Sequence, residues 1–261
     1  MPTHRAVTAA SLAFAAALYG ALVARPASAA EEDHITPYRP TVSNSAQLPV
    51  PGQLELELGI LAARNDTHRT SLPYLFKLAF NDQWGLLLGG EAIVSQRADD
   101  DTQQRGIGNT VLTAKRAFVM TDATAFGLEF SVSLPTAKTS IGGGKTDFIV
   151  NGIVSQDLGR LHLDANLNLT RVGAIDADTG RLQTGLSAAL SSPLAQRWTL
   201  ATELSGTRRD GAASTTQALV AVAFSPSKRI TIDLGVSKGL RADARDWSVF
   251  SGLVIPVAHL W

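Results

Sequence analysis

The chain has 261 residues, balanced formal charge, 45% hydrophobic side chains and no cysteine. That length suffices for one all-β domain; the charge balance implies no polyanionic partner such as nucleic acid, and the missing thiols exclude disulfides and thiolate metal sites. Stability therefore has to come from strand pairing and burial.

Residues Met1 to about Ala29 read as a secretory signal: His4 and Arg5 precede an uncharged run, Ala6–Ala24, and Ala27-Ser28-Ala29 gives the small-x-small pattern for cleavage before Ala30, with Glu31 as the alternative. Removing Arg5 and Arg25 takes 23 basic side chains to 21, against 23 acidic ones. Residues 30–52 contain Pro37, Pro40, Pro49 and Pro51 and little periodicity, so they form a loop or extended segment in the periplasm or in a lumen.

From Gln53 onward the side chains alternate with period two, which sends successive residues to opposite faces of a strand. Leu54, Leu56, Leu58 and Ile60 oppose Glu55, Glu57 and Gly59; Leu161, Leu163, Ala165, Leu167 and Leu169 oppose His162, Asp164, Asn166 and Asn168. Twelve such stretches are predicted: Gln53–Ala63, Leu72–Phe80, Trp84–Val94, Asn109–Phe118, Phe126–Leu134, Phe148–Val154, Leu161–Thr170, Leu182–Leu190, Trp198–Gly206, Ala218–Phe224, Ile230–Ser237 and Trp247–Trp261. Their connections alternate between short turns, such as Asn81-Asp82-Gln83, and longer polar, glycine-rich loops, such as Ala98–Gly106 and Ala137–Lys145. Phe80, Trp84, Phe118, Phe126, Trp198, Phe224 and Trp261 fall beside the short turns or the C-terminus, as an interfacial aromatic girdle would. Short periplasmic turns, longer outer loops, an even strand number and such a girdle predict an all-β fold: a twelve-stranded antiparallel transmembrane β-barrel over 53–261, in a Gram-negative outer membrane.

If the polar face lines the lumen, it carries Glu55, Glu57, Lys77, Glu91, Lys115, Glu129, His162, Asp164, Glu203 and Asp233. Such residues either form selective rings of charge or pair across a narrow lumen; a twelve-stranded barrel lies between side-chain-filled and open, and the pairing is favoured. His162 shares a face with Asp164, but no serine in a nucleophile setting accompanies it, so no catalytic residue is assigned. Asp99, Asp100 and Asp101, with Asp176 and Asp178, read as solvated outer loops rather than a metal site. Gly142-Gly143-Gly144-Lys145-Thr146 lacks the spacing of a phosphate loop and leads into a strand. No cofactor is implied. The expected partners are outer-membrane lipid and lipopolysaccharide, the barrel-assembly machinery through the C-terminal strand, and a small solute.

Three short stretches resemble the outer-membrane transporter family of the meta-pathway phenol-degradation type. They are the lead Pro49-Val50-Pro51-Gly52 into the first strand, the strand start Gly106-Ile107-Gly108-Asn109-Thr110, where the family usually has aspartate at Asn109, and the strand end Leu134-Pro135-Thr136-Ala137, where alanine replaces glycine. The resemblance implies a barrel with a transport role and an aromatic or apolar solute, and it supplies no catalytic residue. The resulting expectation is a passive transporter or narrow pore for small solutes. The alternatives are a structural or adhesive barrel with a closed lumen and, behind it, a barrel lipid hydrolase.

Overall fold

In a computed structural model of the chain, residues 34–64, 67–98, 102–241 and 247–261 are described. The stretch read as a secretory signal, Asp99–Asp101 and part of the last outer loop lie outside them. The strands are β1 (Gln53–Arg64), β2 (Thr67–Ala79), β3 (Trp84–Ala98), β4 (Gln103–Gly106), β5 (Thr110–Thr121), β6 (Thr124–Leu134), β7 (Asp147–Leu158), β8 (Leu161–Arg171), β9 (Leu182–Ala195), β10 (Trp198–Arg209), β11 (Thr215–Ser227), β12 (Ile230–Gly239) and β13 (Trp247–His259). One helical turn, α1 (Thr139–Gly142), sits between β6 and β7.

Apart from β4 and β5, which both pair with β3, every strand pairs with its sequence neighbours in antiparallel fashion, and β13 pairs with β1 along its whole length, from Gln53↔His259 to Arg64↔Trp247. The sheet thus closes on itself and leaves no unpaired edge in the wall. The short β4 pairs with the outer end of β3, while β5 pairs with its inner end, so the two form a single stave and the barrel has twelve. The four prolines inside strands lie at or beside register shifts, Pro73 between Ser71 and Tyr74 being one, where a missing backbone donor costs little.

The barrel is inside out relative to a soluble protein. Leu186 is 63% exposed and Leu204 59%, whereas Lys77, Lys115 and Glu55 are fully buried. Alternation explains both: the leucine face of each strand points outward and its polar face inward. A continuous exposed band of Leu, Ile, Val and Phe is stable against hydrocarbon, where backbone groups paired all the way round need no water. Phe80 stacks on Trp261 with ring centroids 6.4 Å apart, and Trp198 meets Phe224 at a tilt with centroids 4.7 Å apart, at the end that carries the short turns.

Two differences from the sequence reading have a common cause. The strands run further than expected, β7 to Leu158 and β11 from Thr215, and β4 arises inside the stretch read as the loop Ala98–Gly106. Ladder hydrogen bonds continue after the apolar alternation stops, because only the membrane-spanning part needs it. Ile107–Asn109 interrupts the stave: Gly108 N–H donates to Glu91 O at 2.8 Å, and Asn109 grips the α1 turn, donating to Gly142 O at 3.1 Å and accepting from Ala137 N–H.

Candidate functional site: a segment seated on buried charges in the lumen

Residues His34–Gly52 enter the barrel at the short-turn end, reach its middle and return to β1. At the mouth, Ile35 N–H donates to Lys228 O and Gln53 Nε2 to His34 O. On the way out, Gly52 N–H donates to Ala79 O, and Leu260 N–H donates to Gly52 O. Proline richness suits this path: an irregular segment inside a barrel finds its hydrogen-bond partners on the wall, not in a ladder.

The wall supplies those partners as carboxylates. Glu55 accepts Thr36 N–H at 3.0 Å, Glu57 accepts Tyr38 N–H at 2.8 Å, and one oxygen of Glu203 accepts the N–H groups of Val42 and Ser43 at 2.9 and 2.7 Å. Asn44 is held from two sides: its N–H donates to Asn166 Oδ1, its carbonyl accepts from Asn166 Nδ2, and its amide donates to Glu129 at 3.0 Å. Ala46 N–H donates to Ser155 Oγ at 2.8 Å. Lys77 bridges Glu55 at 3.0 Å and Glu57 at 2.6 Å and also donates to Thr36 O; Lys115 pairs with Glu129 at 3.1 Å and donates to Ser45 O. Both ammonium groups lie over the ring of Tyr38, at 4.3 and 4.1 Å from its centroid, while its hydroxyl donates to Gln47 O at 2.6 Å. A desolvated cation over an aromatic face contributes about 2 kcal/mol, so Tyr38 locks the segment between two cations.

Arg39 is the anchor on the neighbouring β1–β13–β12 part of the wall. Its Nε and Nη2 donate to the two oxygens of the buried Asp233 at 2.9 and 3.0 Å. The guanidinium lies flat in a slot made by Gly59 and Gly252, which are cross-strand partners; a Cβ on Gly59 would stand 2.6 Å from Nη1, and one on Gly252 would collide with Nε. Two more inward glycines do the same elsewhere: a Cβ on Gly127 would meet Ala46 Cα at 3.1 Å, and one on Gly85 would meet Leu48 Cδ2 at 2.7 Å. The wall is cut to the shape of the segment. Gly252→Ala is therefore expected to displace Arg39 while leaving the strand pairing intact, and to raise the frequency of channel openings in planar-bilayer recordings. Asp233→Asn should act in the same direction, and a variant indistinguishable from the parent would contradict the slot.

The residues expected to face the lumen fall into three places. Glu55, Glu57, Lys77, Lys115, Glu129, Glu203 and Asp233 are buried and meet the segment directly. Glu91 sits at the outer end, paired with Arg69. His162 sits at the short-turn rim, with Nδ1 at 2.5 Å from Asp157 and Nε2 at 3.4 Å from Asp164. Asp164 accepts the hydroxyl of Ser155, whose oxygen accepts Ala46 N–H, so the serine faces a carboxylate and a backbone amide rather than the imidazole. A nucleophile needs its base within hydrogen-bond reach, and this order does not provide one. Tyr38, Arg39 and Asn44, the segment's own contributors, do not stand out in the sequence, although an arginine and a tyrosine among prolines opposite an acid-rich inward face were the available signal.

Above the segment a cavity of about 660 Å³ opens toward the long loops, floored by Val42 and Asn44. On the β2–β7 side Leu75, Leu87, Val111 and Ile149 alternate with Thr113, Ser131 and Asn151, while Asn168, Ser187, Ser205 and Thr207 line the other side. Glu129 is the one ionisable side chain lining it among the described residues, and Lys115, Asn44 and Asn151 already engage that carboxylate.

Residues 38–255 match the family described as "Putative MetA-pathway of phenol degradation". Among solved structures, an outer membrane channel from Pseudomonas putida F1 is similar with a TM-score of 0.65 at 14% identity, over 88% of this chain and 100% of that one. The NanC porin gives 0.57 at 9% identity over 78% and 100%, and the KdgM porin 0.54 at 11% over 78% and 99%. No curated protein matches. The chain belongs to the phenol-degradation MetA-pathway family, and its fold is that of a porin-like outer-membrane channel.

Proposed function

We propose that this barrel is a plugged passive channel through which small uncharged solutes, apolar or aromatic in character, cross the Gram-negative outer membrane. The observation that carries the reading is the outer cavity: the wall's charges are turned toward the segment below it, and what remains is a chamber whose one ionisable group, Glu129, is already engaged, with aliphatic side chains from β2, β3, β5 and β7 on one side and hydrogen-bonding groups around the rest. An uncharged ring bearing a hydroxyl satisfies both sides, since burial of its carbon surface contributes roughly 25 cal/mol per Å² and the hydroxyl finds a partner. Displacement of residues 34–52 would complete the path. Family membership supports the same solute class.

Liposome swelling tests it. Entry of an uncharged aromatic alcohol is expected to exceed that of a sugar of similar size and of benzoate. Ile149→Asn should slow the aromatic roughly four-fold, the equivalent of about one buried methylene group, with the sugar unaffected. Equal rates for all three solutes would remove the solute class while leaving the channel. The filled lower lumen favours a second reading, a structural barrel with no conductive state; no swelling in either the parent or a plug-deleted form would select it.

A further inference from the structure

Near the long-loop end, a cavity of about 760 Å³ at the barrel rim adjoins one of about 670 Å³ on the outside of the wall, and the two share Leu186, Gly206 and Thr216. The upper one is lined by Arg208, Arg209 and Arg241, with hydroxyls from Thr184, Ser214 and Thr216 and, on its lumen side, from Thr207 and Thr215; Asp210 is its one acid among the described residues. The lower one is apolar, a depression where Gly152, Ala165, Ala188 and Gly206 leave space between Leu167, Leu204 and Leu240. Cross-strand pairing places these residues side by side: Gly152↔Leu167, Ala165↔Ala188, Ala188↔Leu204 and Leu186↔Gly206.

We propose that this surface binds a phosphorylated glycolipid of the outer leaflet, with its phosphate on Arg208 and Arg241 and one acyl chain in the depression. Leu204, Gly206 and Arg208 share one face of β10, so the Arg208 backbone stands about 7 Å along the strand from Gly206 in the floor of the groove. That puts cation above hydrocarbon in the order in which such a lipid presents its own groups. Guanidinium forks match phosphate oxygens bidentately, and the hydroxyls suit the sugar. A solute moving through the lumen has no use for this site, because the depression faces lipid; the assignment rests on the outer-leaflet placement of the long loops and is independent of what the lumen carries. The phosphate-rich glycolipids lie in that leaflet, while phospholipid occupies the other.

The test is native mass spectrometry of the detergent-purified mature chain, after heat-shifted gel mobility has established that each variant is a folded barrel. The probes are bisphosphorylated lipid A, the same lipid stripped of phosphate, phosphatidylglycerol and inorganic phosphate. One bisphosphorylated molecule is expected to bind. R208A/R241A, or R208Q/R241Q if the first does not fold, should weaken it about ten-fold, as should removal of the phosphates. A188F, which fills the depression with the arginines intact, should weaken it too, and R160A at the opposite rim should not. Undiminished binding to R208A/R241A, equal affinity for phosphatidylglycerol, or equal binding of inorganic phosphate alone would overturn the site.

Discussion

Deleting residues 34–52 is expected to raise single-channel conductance on the order of ten-fold and to make the open barrel cation-selective. Both effects follow from what the segment covers. It occupies the half of the lumen where, among the described residues, Glu55, Glu57, Glu129, Asp164, Glu203 and Asp233 face Lys77 and Lys115 as wall cations, and four of its backbone N–H groups are bound to carboxylates of that set. Without the segment and its Arg39, six carboxylates oppose two ammonium groups and, at the rim, the His162 imidazole beside Asp164 around a hydrated lumen, and a ring of acid attracts cations. The check is conductance together with reversal potential under a salt gradient. Unchanged conductance from a correctly folded barrel would mean that wall side chains, not residues 34–52, close the lumen.

A second large effect is expected at Lys77. Its side chain is wholly buried and touches two carboxylates, Glu55 and Glu57, that are themselves almost fully buried. Lys77→Met removes the cation and leaves both acids uncompensated, a change of about 3–5 kcal/mol when one partner of a buried pair is lost. Thr36 and Tyr38 hold the same carboxylates through their amides, so the penalty should appear as a looser segment as well as a less stable barrel. Urea unfolding followed by gel mobility measures the loss of stability. The diagnostic is the compensating change: Lys77→Met combined with Glu55→Gln and Glu57→Gln should recover most of the loss, since a neutral trio has no buried charge to strand. A triple variant as unstable as the single one would show that Lys77 acts through packing, not charge.

Much of the fold is legible in the sequence, for a physical reason. A wall between lipid and lumen forces strict alternation, so Leu161, Leu163, Leu167 and Leu169 against His162, Asp164, Asn166 and Asn168 disclose both the strand and its two faces. Hairpin register follows from short turns, which is why Lys115 and Glu129 can be placed on one face; they are direct cross-strand partners, as are Glu55 and Lys77. The segment's destination is not legible. Its hydrogen bonds run from backbone amides to wall side chains, and no periodicity records that. Arg39 and Asp233 are 194 residues apart, and nothing local links them. The inward glycines are visible as gaps in a polar face, but Gly59 and Gly252 acquire meaning only through the guanidinium that lies between them. β4 escapes sequence reading because Gln103, Gln104 and Arg105 carry no apolar alternation, although their backbone pairs with Ser95–Arg97.

Control of the lumen by residues 34–52 is open to direct test because the chain has no cysteine, so that two introduced thiols are the only ones present. Ser43 and Ser187 have their hydroxyl oxygens 2.9 Å apart, one on the segment and one on β9, a separation within reach of a disulfide. Ser43→Cys with Ser187→Cys should cross-link under mild oxidation, giving a channel locked silent that resumes gating when a reductant is added, while each single variant ignores both treatments. Failure of the pair to cross-link in the folded barrel, or conduction that the cross-link leaves untouched, would contradict a plug seated in the lumen.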